Sequence, residues 1–206
     1  MDRFQAQEHW DRMYSTRPEQ ELSWFEEDPA ISLELLLRPE LDKHAPILDV
    51  GGGTSRLLDA LLDRGFTQPA VLDISAAALE KSKRRLADRA SQVRWIVADV
   101  TTWKPDRQYS AWHDRAVFHF LTREEQRRAY RAALESAVAP GGTVVIGTFA
   151  LDGPEQCSGL TVQRYSPESL AAELGSGFAR TAAQSFDHAT PAGKVQRFQF
   201  SRFNRK

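Results

Sequence analysis

Four short stretches carry side chains able to do chemistry, and each closes an apolar, largely β-branched run. They are Asp49-Val50-Gly51-Gly52-Gly53 after Ile47-Leu48, Asp73 after Ala70-Val71-Leu72, Asp99 after Val93 to Val97, and His113-Asp114-Arg115 at the end of a run from Ser110. Glycines after a strand let a ligand approach the backbone without meeting a Cβ. A dinucleotide-binding turn would need a third glycine where Arg56 stands, and Asp49 would repel a pyrophosphate, so a nicotinamide-dependent oxidoreductase is disfavoured. The same carboxylate suits an ammonium or sulfonium group. Asp73 follows Gly53 by 20 residues, the spacing at which a carboxylate accepts from both hydroxyls of a ribose, and Asp99 is placed to accept from an exocyclic amine. Any one Asp would as readily cap a neighbouring helix. As an ordered set they match S-adenosylmethionine group by group: a cationic aminoacyl sulfonium end, a ribose and an adenine.

The elements that must position these residues read as βαβ units. Helical spacing of Ile31, Leu35 and Leu36 after Pro29 predicts a helix over about 29–37. Strands are expected at Ile47–Val50, Ala70–Asp73, Val93–Val97, Ser110–Asp114 and Thr143–Phe149. Between them, Leu57 to Leu62 make a helix stopped by Gly65, and Ser75 caps one carrying Leu79 and Leu86. Thr122 and Glu125 form a capping box for a helix ended by Pro140-Gly141-Gly142. Ser166-Pro167 opens a short helix ending near Gly175. Thr181–His188 and Val195–Phe203, around Thr190-Pro191-Ala192-Gly193, read as an antiparallel hairpin. The expected fold is α/β: a Rossmann-like, doubly wound seven-stranded sheet, mostly parallel with an antiparallel C-terminal hairpin strand and helices on both faces. Residues 1–46 are read as an N-terminal helical lid segment and 47–206 as the cofactor-binding domain.

Composition limits the alternatives. The 206 residues hold 27 basic and 28 acidic side chains, one cysteine and five histidines. That balance offers no electrostatic footprint for nucleic acid or an anionic membrane. One cysteine forms no internal disulfide, no apolar run reaches the length of a membrane span, and the histidines have no metal-ligand spacing. A cytoplasmic monomer or homodimer without a metal is expected. Cys157 is read as structural, and Lys81-Ser82-Lys83-Arg84-Arg85 as the solvated face of a helix.

With those residues in hand, the chain resembles the class I S-adenosylmethionine-dependent methyltransferases. Asp49 to Ser55 is similar to the family's first motif, Leu72-Asp73-Ile74-Ser75 to its second-strand acidic motif, Ala98-Asp99-Val100 to its adenine-contacting motif, and Ala139 to Thr143 to the turn entering its fifth strand. A narrower resemblance joins His9-Trp10-Asp11-Arg12-Met13-Tyr14 and Leu22-Ser23-Trp24-Phe25 to small methyltransferases related to the elongation-factor-1A and citrate-synthase lysine methyltransferases. The resemblance implies S-adenosylmethionine as cofactor, held by Tyr14, Trp24, Asp49, Gly51, Gly53, Asp73, Ile74, Asp99, Val100, Asp114 and Arg115. His113 to His119 aligns with an Asp-Lys-Gly-Thr-Leu-Asp segment of that group but departs from it at Ala116 and His119, so a lysine acceptor does not transfer with the motif.

Methyl transfer from a sulfonium is an in-line displacement in which the protein mainly orients, and a base is useful only for acceptors that arrive protonated. His113 and His119 flank the fourth strand end and are the candidate bases, with a structural role for each as the alternative. Tyr165 and His188 are candidates to border the acceptor. Arg115 either holds an anionic acceptor or pairs with Asp114, the second being favoured. The expected activity is methyl transfer to a small-molecule acceptor. The alternatives are a protein lysine methyltransferase, which would present an open acidic groove rather than an aromatic pocket, and a non-catalytic cofactor-binding regulatory domain.

Overall fold

The computed structural model describes residues 3–206. Seven strands form one sheet: β1 (Ile47–Val50), β2 (Pro69–Asp73), β3 (Arg94–Val97), β4 (Tyr109–Arg115), β5 (Val138–Phe149), β8 (Phe178–Ala189) and β9 (Val195–Arg205). Their spatial order is β3-β2-β1-β4-β5-β9-β8. The first five pair in parallel, while β9 runs antiparallel to both β5 and β8. Chain order reverses between β1 and β4, which is where an open α/β sheet leaves a crevice at its carboxyl edge. β1 and β2 are buried along their whole length, as expected for parallel strands covered on both faces.

One face packs α5 (Glu124–Ala137) and α6 (Pro167–Leu174) through Tyr130, Leu134, Leu170 and Leu174 onto Leu48, Trp112, Val144 and Phe203. The other carries α2 (Ala30–Leu36), α3 (Leu57–Asp63) and α4 (Ala76–Leu86). There Ile31, Leu35 and Leu36 share a buried cluster with Ile47, Leu61, Val145 and Phe200. α2 is therefore woven into the same core as the sheet, although it precedes β1. The N-terminal helix α1 (Arg3–Thr16) packs on α4, with Tyr14, Leu22 and Ala78 buried together. Asp11 fixes this contact, accepting from Ser75 Oγ (2.7 Å) and the Ala77 N–H (3.2 Å) at the start of α4.

Several local expectations shift. The start of α5 is displaced by one residue from the expected Thr122–Glu125 box: Arg123 is its N-cap, and Gln126 Oε1 accepts from the Arg123 N–H at 3.3 Å. Pro140-Gly141-Gly142 does not form a separate turn, because β5 starts at Val138 and absorbs it as an irregularity opposite Tyr109 and Ala111. Within 151–165 a small hairpin forms from β6 (Gln156–Cys157) and β7 (Leu160–Thr161). The basic run of α4 is not wholly solvated. Arg85 donates to Asp59 (2.8 Å), Ser55 O (2.7 Å) and Thr54 O (3.0 Å) and pairs with Glu19 (3.2 Å), its side chain 16% exposed. No helix among the described residues is long and apolar enough to cross a membrane.

Candidate functional site

Two adjoining cavities open at the reversal point. The larger, about 370 Å³, runs from the ends of β2 and β3 past β4 to the β6–β7 hairpin. The smaller, about 50 Å³, lies between the glycine turn and the segment from Trp24 to Ser32. Gly51 and Gly53 have φ of +65° and +44°; a Cβ at Gly51 would overlap Val117, and one at Gly53 would come within 2.5 Å of the Tyr14 hydroxyl. Val117 and Tyr14 thus pack so closely on the turn that neither position admits a side chain.

Asp73, Ile74, Asp99 and Val100 line the larger cavity together with Gly51, Tyr14 and Trp24. The Asp73 carboxylate accepts from the Ser75 N–H at 2.8 Å and faces Gly53. Burial, opposed by hydrogen bonds from the Ser75 and Gly53 amides, raises its pKa to about 7. Asp99 accepts from the Thr101 N–H (2.8 Å) and hydroxyl (2.7 Å), which orients its carboxylate at the β3 end. Tyr14 receives the Trp24 indole N–H at 3.2 Å, and burial, with Asp73 next in importance, keeps its hydroxyl protonated. Trp10 packs edge-on against both Trp24 (5.6 Å) and Phe120 (5.1 Å). The far wall is Phe120, Leu160, Thr161 and Cys157, whose thiol burial pushes up to about 11.

The other expected residues lie elsewhere. Asp49 borders the smaller cavity; its Oδ1 binds His113 Nδ1 at 2.7 Å, while His113 Nε2 meets Ser32 Oγ at 2.9 Å. Both nitrogens of His113 are engaged, and its ring does not reach the larger cavity. His119 is fully buried between Phe120 and Phe149, its pKa driven down to about 3 by burial and by Arg115. Asp114 turns inward, accepting from the Val117 N–H (2.9 Å), the Phe118 N–H (3.1 Å) and the Tyr130 hydroxyl (2.7 Å). It closes the turn after β4 rather than lining either cavity. Tyr165 is buried against Phe118, and His188 contacts Ser23 O at 2.9 Å, so neither lines the cavities.

Arg115 stands where the two cavities meet. Its partner is not Asp114: it donates to Trp24 O (2.8 Å), lies 3.5 Å from Glu26 and stacks over Phe198 (5.1 Å). The Nη2 of this buried guanidinium has no hydrogen-bond partner. Burial raises the pKa of Glu26, and Arg115 opposes that shift. Sequence reasoning missed Trp10 and Phe120 as lining residues, whereas the loop carrying Cys157 was expected over the pocket and does line it. Trp10 sits in the N-terminal motif already noted, and Phe120 carries no local signal. Among the described residues, no group of three or more His, Cys, Asp or Glu could hold a metal ion.

The aminoacyl, ribose and adenine parts of S-adenosylmethionine fit the groups present: a glycine cradle, a buried Asp49 Oδ2 without a partner, and Asp73 and Asp99 at successive strand ends. Residues 47–142 match the family described as Methyltransferase domain. The chain is 32% identical over 109 residues to malonyl-[acyl-carrier protein] O-methyltransferase 1 of Ilyobacter polytropus, covering 52% of this chain and 39% of that protein. It is 22% identical over 147 residues to the eEF1A lysine and N-terminal methyltransferase of Bos taurus, covering 70% of this chain and 20% of that one. The chain thus spans well under half the length of these relatives. A solved structure concerned with the conversion of a disulfide bond into a thioacetal group during echinomycin biosynthesis superposes with a TM-score of 0.74 at 20% identity. That match covers 97% of this chain and 93% of that one.

Proposed function

We propose, on the premise that the chain belongs to the class I S-adenosylmethionine-dependent methyltransferases, that it methylates a small-molecule acceptor in the aromatic half of the larger cavity. The observation that carries this reading is the character of that half. Trp10, Trp24, Phe120, Leu160 and Cys157 make an apolar wall, and the acids of the cavity, Asp73 and Asp99, sit at the β2 and β3 ends. A protein lysine acceptor would call for an acidic groove beside the transferred methyl.

When bound, S-adenosylmethionine supplies a methyl group on a sulfonium, whose displacement leaves a neutral thioether. In this reading Asp73 holds the ribose, Asp99 the adenine amine, and the glycine turn the aminoacyl end, while Tyr14 and Trp24 close over them from the N-terminal lid segment. Such orientation alone supplies roughly 7–11 kcal/mol of a displacement barrier. Neither His113 nor His119 reaches the acceptor half, so no imidazole stands ready to take a proton. Arg115, which lies 3.5 Å from Glu26 and whose Nη2 has no hydrogen-bond partner, lines the cavity beside it. Both features favour a nucleophile that arrives as an anion, a carboxylate or thiolate, over an ammonium that must first lose its proton. The relative named as a malonyl-[acyl-carrier protein] O-methyltransferase supports an oxygen acceptor.

A labelled-methyl transfer screen tests it, using matched aromatic and aliphatic carboxylates, thiols and amines alongside a protein extract. The expected product is a methyl ester or thioether of a small molecule. Label appearing in protein lysines instead would overturn the acceptor assignment, and binding of NAD without S-adenosylmethionine would overturn the cofactor assignment.

A further inference from the structure

Resting on the cofactor reading above, we infer that Ser32 and His113 are positioning residues for the aminoacyl end of the cofactor, acting through Asp49. Three buried side chains from three elements form an uninterrupted line: Ser32 Oγ of α2, 2.9 Å from His113 Nε2 of β4, whose Nδ1 lies 2.7 Å from Asp49 Oδ1 of β1. Each is 2% exposed or less. A neutral imidazole satisfies the line with its Nδ1–H donating to the carboxylate and its Nε2 accepting from the serine hydroxyl. One carboxylate oxygen is thereby used and the other is not: Asp49 Oδ2 is buried and has no partner.

The position of that free oxygen assigns its purpose. It lies against Gly52, where a Cβ would come within 2.5 Å of it, in a residue that borders the smaller cavity beside Thr54, Ser55 and Arg56. A buried carboxylate oxygen without a donor is costly unless a ligand supplies one. An ammonium group does so, and of the three parts of the cofactor only the aminoacyl end carries one. His113 keeps the carboxylate from rotating, and Ser32 keeps His113 in one tautomer. Hydroxyl, imidazole and carboxylate in line also occur in acyl-transfer enzymes. Here all three are buried beside a space of about 50 Å³, too small for an acyl substrate.

The test compares S-adenosylhomocysteine with 5′-methylthioadenosine, which shares its adenosine but lacks the aminoacyl end. Affinities are measured by calorimetry for the wild type, Ser32→Ala, His113→Asn and His113→Leu. In His113→Leu, which leaves Asp49 without its donor, S-adenosylhomocysteine affinity is expected to fall about tenfold or more, with methylthioadenosine affinity unchanged within about twofold. His113→Asn, which keeps a donor toward Asp49, is expected to recover most of the loss, and Ser32→Ala to show a smaller selective loss. If His113→Leu does not fold, the selective loss in Ser32→Ala carries the test. Parallel loss of both ligands, or no selective loss in the folded variants, would overturn the inference while leaving the methyltransferase reading intact. A wild type that binds neither ligand would overturn both.

Discussion

Read as the ribose acceptor, Asp73 should couple ligand binding to pH. Burial raises its carboxyl to about 7, whereas an unfolded aspartate titrates near ~3.9. Between those values the folded protein holds a proton that the unfolded chain has released, so Asp73 contributes less to stability as pH rises through this window. Binding runs the other way, because a ribose needs the ionised acceptor. S-adenosylhomocysteine affinity is therefore expected to rise from about pH 6 to 8. Asp73→Asn should remove that slope and weaken binding by about 1–3 kcal/mol; calorimetry across pH checks both, and an unchanged slope would take Asp73 out of the site. His119, held neutral down to about pH 3, has the opposite linkage: its contribution to stability is lost as pH falls from ~6.5 toward 3. Because its ring lies between Phe120 and Phe149, His119→Phe should leave methyl transfer within a few-fold of wild type. A drop on the hundredfold scale of a removed general base would restore it as the base. Ala116, next to Arg115, has a φ of +68°, a conformation costly for any residue with a Cβ. Ala116→Gly should gain about 0.5–1 kcal/mol in urea unfolding.

At the scale of elements, the segment before β1 is tied down by charge as well as by apolar contact. Glu19 pairs with Arg56 at 2.7 Å and with Arg85 at 3.2 Å, joining the N-terminal segment to the glycine turn and to α4. Arg85 in turn holds Asp59 and the carbonyls of Thr54 and Ser55. Side chains about 15% exposed place this network between surface and core. Glu19→Ala should cost about 1–3 kcal/mol, below the scale of a fully buried pair. Hydrogen exchange is expected to rise in α1 and residues 19–27 more than in β1 or β4. A uniform increase across the sheet would mean that the network supports the whole fold rather than the N-terminal segment. α2 behaves differently, since Ile31, Leu35 and Leu36 are part of the sheet's own core. The Ser32 contact to His113 is therefore carried on a rigid element, and loosening α1 should leave it in place.

For the whole molecule, a ligand that bridges β1, β2 and β3 and is covered by the N-terminal segment stabilises elements distant in sequence together. At a hundred times its dissociation constant, S-adenosylhomocysteine should add about 2.7 kcal/mol and raise Tm by about 5–10 °C. NAD at the same concentration should leave Tm unchanged; the reverse pattern would refute the cofactor assignment. The alternation of apolar strands with amphipathic helices and the acids that end β1, β2 and β3 were legible in the 206 residues because they depend on local spacing. Strand propensity, turn glycines and sheet parity recur every few residues, and a parallel sheet brings its strand ends to one edge by construction. Where Asp114, His113 and His119 point, and what Arg85 and Arg115 pair with, was not legible. Ser32 and His113 are 81 residues apart, and Glu19 and Arg85 are 66 apart. Such pairs depend on which helix covers which face, and an imidazole that reads as a base in one-dimensional order becomes a strut once both of its nitrogens are buried against partners. The sequence by itself determined the sheet and the acidic edge that suits a cationic cofactor. Only the tertiary structure decided that the cavity wall away from Asp73 and Asp99 is aromatic and, among the described residues, lined by Arg115 and no histidine, because that wall is assembled from α1, the turn after β4 and the β6–β7 hairpin, which meet only when the chain is folded.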